Sequence, residues 1–182
     1  MKAYLLAFYN FIKCFCIKLT RNNFEFYPVQ FLGRNTRLVI EKSGRVHFGK
    51  HIVSDGRLVI VVDKNAELFI GDGVYFNENV MISCKKNIKI DSGCKFGPNV
   101  KVFDNDHKFD AERGVGEEHT SAAISIGKNC WIATNCVILK GTTIGDNCVI
   151  GAGVIAHGTI PASSIVTASR DICIRPIEER EE

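Results

Sequence analysis

From Ile126 to Thr167 the chain divides into seven consecutive sixes: IGKNCW, IATNCV, ILKGTT, IGDNCV, IGAGVI, AHGTIP and ASSIVT. An aliphatic or small residue opens each one, at Ile126, Ile132, Ile138, Ile144, Ile150, Ala156 and Ala162. Four places later stands a second small or β-branched residue, at Cys130, Cys136, Thr142, Cys148, Val154, Ile160 and Val166. Gly, Asn, Asp and Lys between them suit turns. A helix repeats every 3.6 residues and a strand every two, so neither holds this register. A fixed period of six predicts a parallel β-helix, an all-β fold whose short strands stack coil upon coil around one core.

The frame recurs upstream, in IGDGVY from Ile70, FNENVM from Phe76, IDSGCK from Ile90, FGPNVK from Phe96 and VFDNDH from Val102. Three sixes make one three-sided coil. Residues 82–89 break the frame, with Lys86 where a small residue belongs and two extra residues before Ile90. Ile90 and Ile126 stand a multiple of six apart, yet residues 108–123 are polar and carry no repeat. They are expected to form a loop extruded from the helix, and long loops of this kind tend to be functional or disordered. Residues 34–69 hold strand-like runs at irregular spacing and read as atypical first coils. His47 and His51 fall among them as surface or cap residues.

A chain of 182 residues is expected to be one domain. It divides into a helical segment over 1–33, a β-helix over 34–168 and a charged tail over 169–182. A net charge of +3 without a basic run gives no support to nucleic-acid binding. Of eight cysteines, Cys94, Cys130, Cys136 and Cys148 take the inward slot, where Cys acts as a small apolar residue. No CxxC pair suggests zinc. Buried free thiols fit a reducing compartment, which places the protein in the cytoplasm. Residues 1–20 are aromatic and apolar but interrupted by Asn10, Lys13 and Lys18. That pattern suits neither a signal peptide nor a spanning helix. Two readings stay open for it: a helix packed on the end of the β-helix or on a neighbouring subunit, and an interfacial helix at the inner membrane surface. The second would suit a lipid-linked acceptor.

The hexapeptide units, the segment FDNDHKFD and the run IGKNCWIATNCVILKGTTIGDNCVIGAGVIAHGTIP resemble the left-handed β-helix acyltransferases, and within them the bacterial O-acetyltransferases of sugars and surface polysaccharides. The resemblance spans roughly residues 66–167 and supplies the handedness, since a left-handed coil runs against the usual crossover preference. It implies an acetyl-CoA-dependent transfer to a hydroxyl, a homotrimer, and active sites between subunits. Such chemistry needs a base for the hydroxyl proton and donors for the oxyanion.

His107 is the expected base, assigned by the resemblance to the end of a coil beside the extended loop. Transfer would then be direct, without an acetyl-enzyme. Asp106 or Asp104 would hold its tautomer, or Asp106 would be a turn residue capping the loop. Asp106 counts as inward in the hexapeptide frame, and Asp104 is also a substrate-contact candidate. Asn79 matches a substrate-contacting Asn of galactoside-type members, with a turn role as the alternative. For coenzyme A the resemblance points to Trp131, Thr134 and Ala152. His157 and Gly158 replace a Thr-Lys pair of similar proteins, and the usual Gly-x-Pro is Ser169-Arg170-Asp171 here. Arg170 or Arg175 would suit its phosphate. Glu117, Glu118 and His119 in the loop are either acceptor contacts or solvated. Competing readings are transfer to an amino sugar or small xenobiotic, and a non-catalytic or metal-binding β-helix that joins His107, His119 and His157. No metal is expected.

Overall fold

A computed structural model describes residues 2–168. Helix α1 (Lys2–Thr20) is followed by short strands that stack into three parallel sheets, two of seven strands and one of six. The first sheet runs from Phe24–Phe26 to Thr159–Ile160, the second from Phe31–Leu32 to Ile165–Val166, and the third from Arg37–Ile40 to Ile155–Ala156. This is the expected parallel β-helix. Ile90 pairs with Ile126, so the thirty-six-residue gap is one coil with an insertion.

The solenoid begins at Phe24, ahead of the boundary at residue 34, and its first coils are regular. Their period differs from the later one. A coil advances 22 residues from Phe24 to Val46 and from Val46 to Leu68, then 20 to Ile88. It shortens to 18 between Ile126 and Ile144 and to 16 between Ile144 and Ile160. The extra residues lengthen the strands of two sides, as in Glu67–Ile70 of the first sheet and Leu58–Val62 of the third. Inside these longer strands burial alternates with period two, which hides the period of six.

Coil corners use the left-handed backbone region. Asn65, Asn79, Asn99, Asn129, Asn135 and Asn147 all have φ between 55° and 60°, and Asn tolerates this region better than most residues. Inward slots form one apolar column per side, from Val46, Leu68, Ile88 and Ile124 onward. Burial of each such side chain contributes about 1.5–3 kcal/mol. The inward cysteines pack there as expected and also donate S–H to main-chain carbonyls: Cys94 to Gly127 (3.0 Å), Cys130 to Gly145 (3.1 Å), Cys136 to Gly151 (3.0 Å) and Cys148 to Pro161 (3.1 Å). Thr142 repeats the pattern toward Ala156 (3.1 Å).

Burial pushes the thiols of Cys84 and Cys136 above their ordinary range, and that of Cys14 to about 11. Cys16 alone among the described cysteines is exposed. A thiolate-selective reagent on native protein is therefore expected to label Cys16 well before Cys84 or Cys136. Peptide mapping of the labelled chain checks this.

Helix α1 closes the open end of the solenoid. Buried Asn10 donates to the Leu32 carbonyl (2.9 Å), Cys14 is buried and Ile17 packs on the core. Lys13 reaches the Thr36 carbonyl (2.6 Å) and Arg21 the Ile40 carbonyl (2.8 Å). No described helix is long and apolar enough to cross a membrane.

Candidate active site

The segment expected as an unstructured loop is a β-hairpin. Strand Asn105–Asp110 pairs antiparallel with Gly114–Ser121, so the insertion starts before residue 108. At its tip the Asp110 carboxylate accepts the main-chain N–H groups of Glu112 (2.9 Å) and Arg113 (2.7 Å), and Gly114 takes φ 70°. This turn chemistry lets a polar stretch without a repeat fold back on itself. At its base the Ala122 N–H donates to the Asp104 carbonyl (2.9 Å).

His107 lies within the first hairpin strand rather than at the end of a coil, and its side chain is exposed. Its Nδ1 is 3.3 Å from the Gly116 carbonyl. A carbonyl only accepts, so this bond puts the proton on Nδ1 and leaves the Nε2 lone pair for another partner. Directly across the hairpin stands His119, ring centroid 4.1 Å away. Neither aspartate fixes the imidazole. The Asp106 carboxylate is exposed, not inward, and pairs with Lys140 (2.7 Å). The same ammonium reaches the Thr120 hydroxyl (2.6 Å), so Lys140 clamps both hairpin strands.

Asp104 takes the inward slot that the frame had given to Asp106, because the third side of this coil alternates by twos. It continues the column of Val62 and Cys84. The carboxylate is fully buried. It accepts the N–H groups of Lys85 (2.7 Å), Lys86 (2.8 Å) and Asn87 (2.9 Å), and the Asn105 amide (3.1 Å). Asp104 is thus unavailable to substrate and holds the turn that breaks the frame near Lys86. Asn79 takes φ 58° and donates to Asn99 (2.9 Å), which donates to Asn135 (3.0 Å). The alternative turn role is the one that this ladder supports.

Trp131 stands on the outer face of the second sheet, 54% exposed, in register with Lys95 and Val149. Lys95, Gly93, Asn129 and Trp131 line a shallow cleft. Thr134 and Ala152 fall at the corner that follows this sheet, Ala152 exposed and Thr134 donating to the Pro98 carbonyl (3.1 Å). His157 and Gly158 fall at a different corner, between the third and first sheets. The hairpin and Lys140 leave from that same corner on earlier coils. One chain therefore carries the expected sites on two separate edges, with His107 on one and Trp131 on the other. Arg175, Arg170 and the rest of the tail lie outside the described residues. Among the described residues no three His, Cys, Asp or Glu side chains converge as a metal site.

Sequence reading missed Lys140, Lys95 and the Gly116 carbonyl. Their roles arise from the hairpin and from coil stacking, and no local motif marks them.

Comparison with known proteins agrees with this architecture. The family described as "Bacterial transferase hexapeptide (six repeats)" matches residues 123–158. The galactoside O-acetyltransferase of Escherichia coli K12 is 34% identical over 116 residues, covering 64% of this chain and 57% of that protein. A second Escherichia coli protein is 25% identical over 147 residues, covering 73% and 75%; its name marks it as an unproven lipopolysaccharide-biosynthesis O-acetyl transferase. The chain thus spans under two thirds of the length of the first of these. A solved galactoside acetyltransferase in complex with coenzyme A superposes with a TM-score of 0.57 at 25% identity, covering 98% of this chain and 80% of that one. A hexapeptide-repeat acetyltransferase from Vibrio cholerae, complexed with acetyl coenzyme A, shares the fold (TM-score 0.59, 24% identity, 72% and 70% covered). The chain thus carries a hexapeptide-repeat match over residues 123–158 within a three-sided coil, and it is similar to proteins named as O-acetyltransferases and to solved hexapeptide-repeat acetyltransferases.

Proposed function

We propose that this protein transfers the acetyl group of acetyl-CoA to a hydroxyl of a sugar or surface glycan, with His107 as general base. The observation that carries the proposal is the His107 imidazole, exposed on its hairpin and held through Nδ1 by the Gly116 carbonyl. The coenzyme A complex of the related galactoside acetyltransferase and the sugar-acetylating relatives support the donor and the acceptor class. Nε2 takes the acceptor O–H proton while that oxygen attacks the thioester carbonyl carbon. The C–S bond of the tetrahedral adduct breaks, and the imidazolium returns its proton to the departing thiolate. No acetyl-enzyme forms in this reading.

In this reading His107, on the hairpin of one chain, and Trp131, on the second-sheet face of another, meet to form the working site. His107 of one would face the second-sheet surface of the next, in a homotrimer. There Trp131 would cover the pantetheine arm between the Thr134 and Ala152 corners, and Lys95 would offer charge to a phosphate.

Purified protein with acetyl-CoA and a panel of sugars, glycans and amino sugars tests the function. Thiol release that depends on a hydroxyl acceptor supports it, and release with amines alone overturns the O-transfer. Trp131 is the single Trp, so its fluorescence is expected to be quenched on titration with coenzyme A. Trp131→Ala is expected to raise the KM for acetyl-CoA about tenfold, the loss of about one stacking contact, with kcat little changed. An unchanged KM would remove Trp131 from the donor site.

A further inference from the structure

Helix α1 spends only one side on the solenoid. Asn10, Cys14 and Ile17 face inward, and at 100° per residue the opposite side is centred on Leu5, Ile12 and Leu19. That side is apolar along its length: Tyr4, Leu5, Phe8, Ile12, Phe15 and Leu19 are all exposed, Tyr4 by 82% and Leu19 by 66%. An uninterrupted apolar face of this extent marks an interaction surface.

Charge selects the partner. No Asp or Glu precedes Glu25. By helical spacing Lys13 and Lys18 fall on opposite borders of the apolar stripe. Arg34 joins Leu5, Leu6 and Tyr9 in lining an apolar recess beside the helix. Glu41 lines a recess at the helix C-terminal end, with Thr20 and Arg21. A stripe of aromatic and aliphatic residues bordered by cations, with no carboxylate on it, fits a surface that is apolar inside and anionic outside. A second copy placed face to face would bring no acid from its own helix to pair with these cations, since no Asp or Glu precedes Glu25. The helix cannot span a bilayer, which leaves it lying in the interface, the Lys18 stem along the apolar face and its ammonium in the headgroups, while Lys13 stays on the Thr36 carbonyl.

We propose that the outward face of α1 docks this protein on anionic phospholipid membranes, with Leu5, Ile12 and Leu19 entering the acyl boundary and Lys18 and Arg34 meeting phosphate headgroups. The docking is independent of the acetyl-transfer reading, because α1 closes one end of the solenoid while His107 and Trp131 lie on later coils.

The full chain is mixed with vesicles of phosphatidylcholine alone, and of phosphatidylcholine with phosphatidylglycerol, and floated on a density gradient. Light scattering of the same samples without lipid follows the oligomeric state. Binding is expected to be about thirtyfold tighter on the anionic vesicles, Lys18 and Arg34 each contributing about fivefold near the surface, and to weaken with salt. Phe8→Asp/Leu19→Asp is expected to abolish flotation at unchanged solution mass. Lys18→Glu/Arg34→Glu, on exposed or partly exposed positions, is expected to remove the preference for anionic lipid while the fold stays intact. Folded wild type that stays off both vesicles overturns the proposal. So does a Phe8→Asp/Leu19→Asp variant that floats normally but loses solution mass, since the face would then belong to another copy.

Discussion

His107→Ala is expected to lower acceptor-dependent thiol release from acetyl-CoA by about 10²–10⁴-fold, the range of a lost general base. Its side chain is exposed on the hairpin, so stability should change by no more than about 0.5 kcal/mol, which thermal unfolding checks. His107→Gln separates chemistry from anchoring. Its amide can still donate to the Gly116 carbonyl but offers no imidazole lone pair, so it should be as inactive as the alanine variant. Partial activity in His107→Gln would show that holding the hairpin, rather than taking a proton, is what His107 contributes. His119 provides the internal control. Its ring lies 4.1 Å from that of His107 across the hairpin, tilted by 42°, and His119→Ala is expected to retain most of the rate. If His119→Ala abolishes turnover and His107→Ala does not, the base is His119.

The hexapeptide register made most of the fold legible, because a strict period of six leaves few alternatives and the inward slots point to one core. It failed on the first coils for a physical reason. Strands such as Leu58–Val62 and Val80–Cys84 are five residues long and alternate inward and outward by twos, so counting by six assigns the wrong faces. The same error exchanged Asp104 and Asp106. Counting four places from Val102 put Asp106 inside, whereas the strand alternation puts Asp104 there. The hairpin was misjudged because its polar strands bury nothing and so carry no hydrophobic pattern; cross-strand pairs such as Lys108 with Glu118 (2.6 Å) and the Lys140 clamp appear only after folding. Position 107 was legible as a candidate through its place after a repeat, but its anchor, Gly116, is nine residues away and unmarked by any motif.

Asp104→Ala is expected to be the most damaging polar substitution in the molecule, and it couples the core to the site. Three main-chain N–H groups, of Lys85, Lys86 and Asn87, converge on this one buried carboxylate. Removing it strands donors where water does not reach, which costs about 3–5 kcal/mol and should lower Tm by roughly 10 °C or more in a chain of this size. Asp104→Asn is nearly isosteric yet offers no full rescue. Oδ1 and Oδ2 both accept N–H groups, so whichever position receives the amide NH2 places donor against donor. The Asn variant should therefore fall between wild type and alanine in thermal stability. Activity distinguishes this reading from a catalytic one. The Asp104 carbonyl closes the hairpin base through Ala122 (2.9 Å), so a loosened turn should reduce kcat several-fold by displacing His107, in step with lost stability. An Asp104→Asn protein as stable as wild type but inactive would restore Asp104 to the reacting groups and refute its assignment as the cap of the Lys85–Asn87 turn.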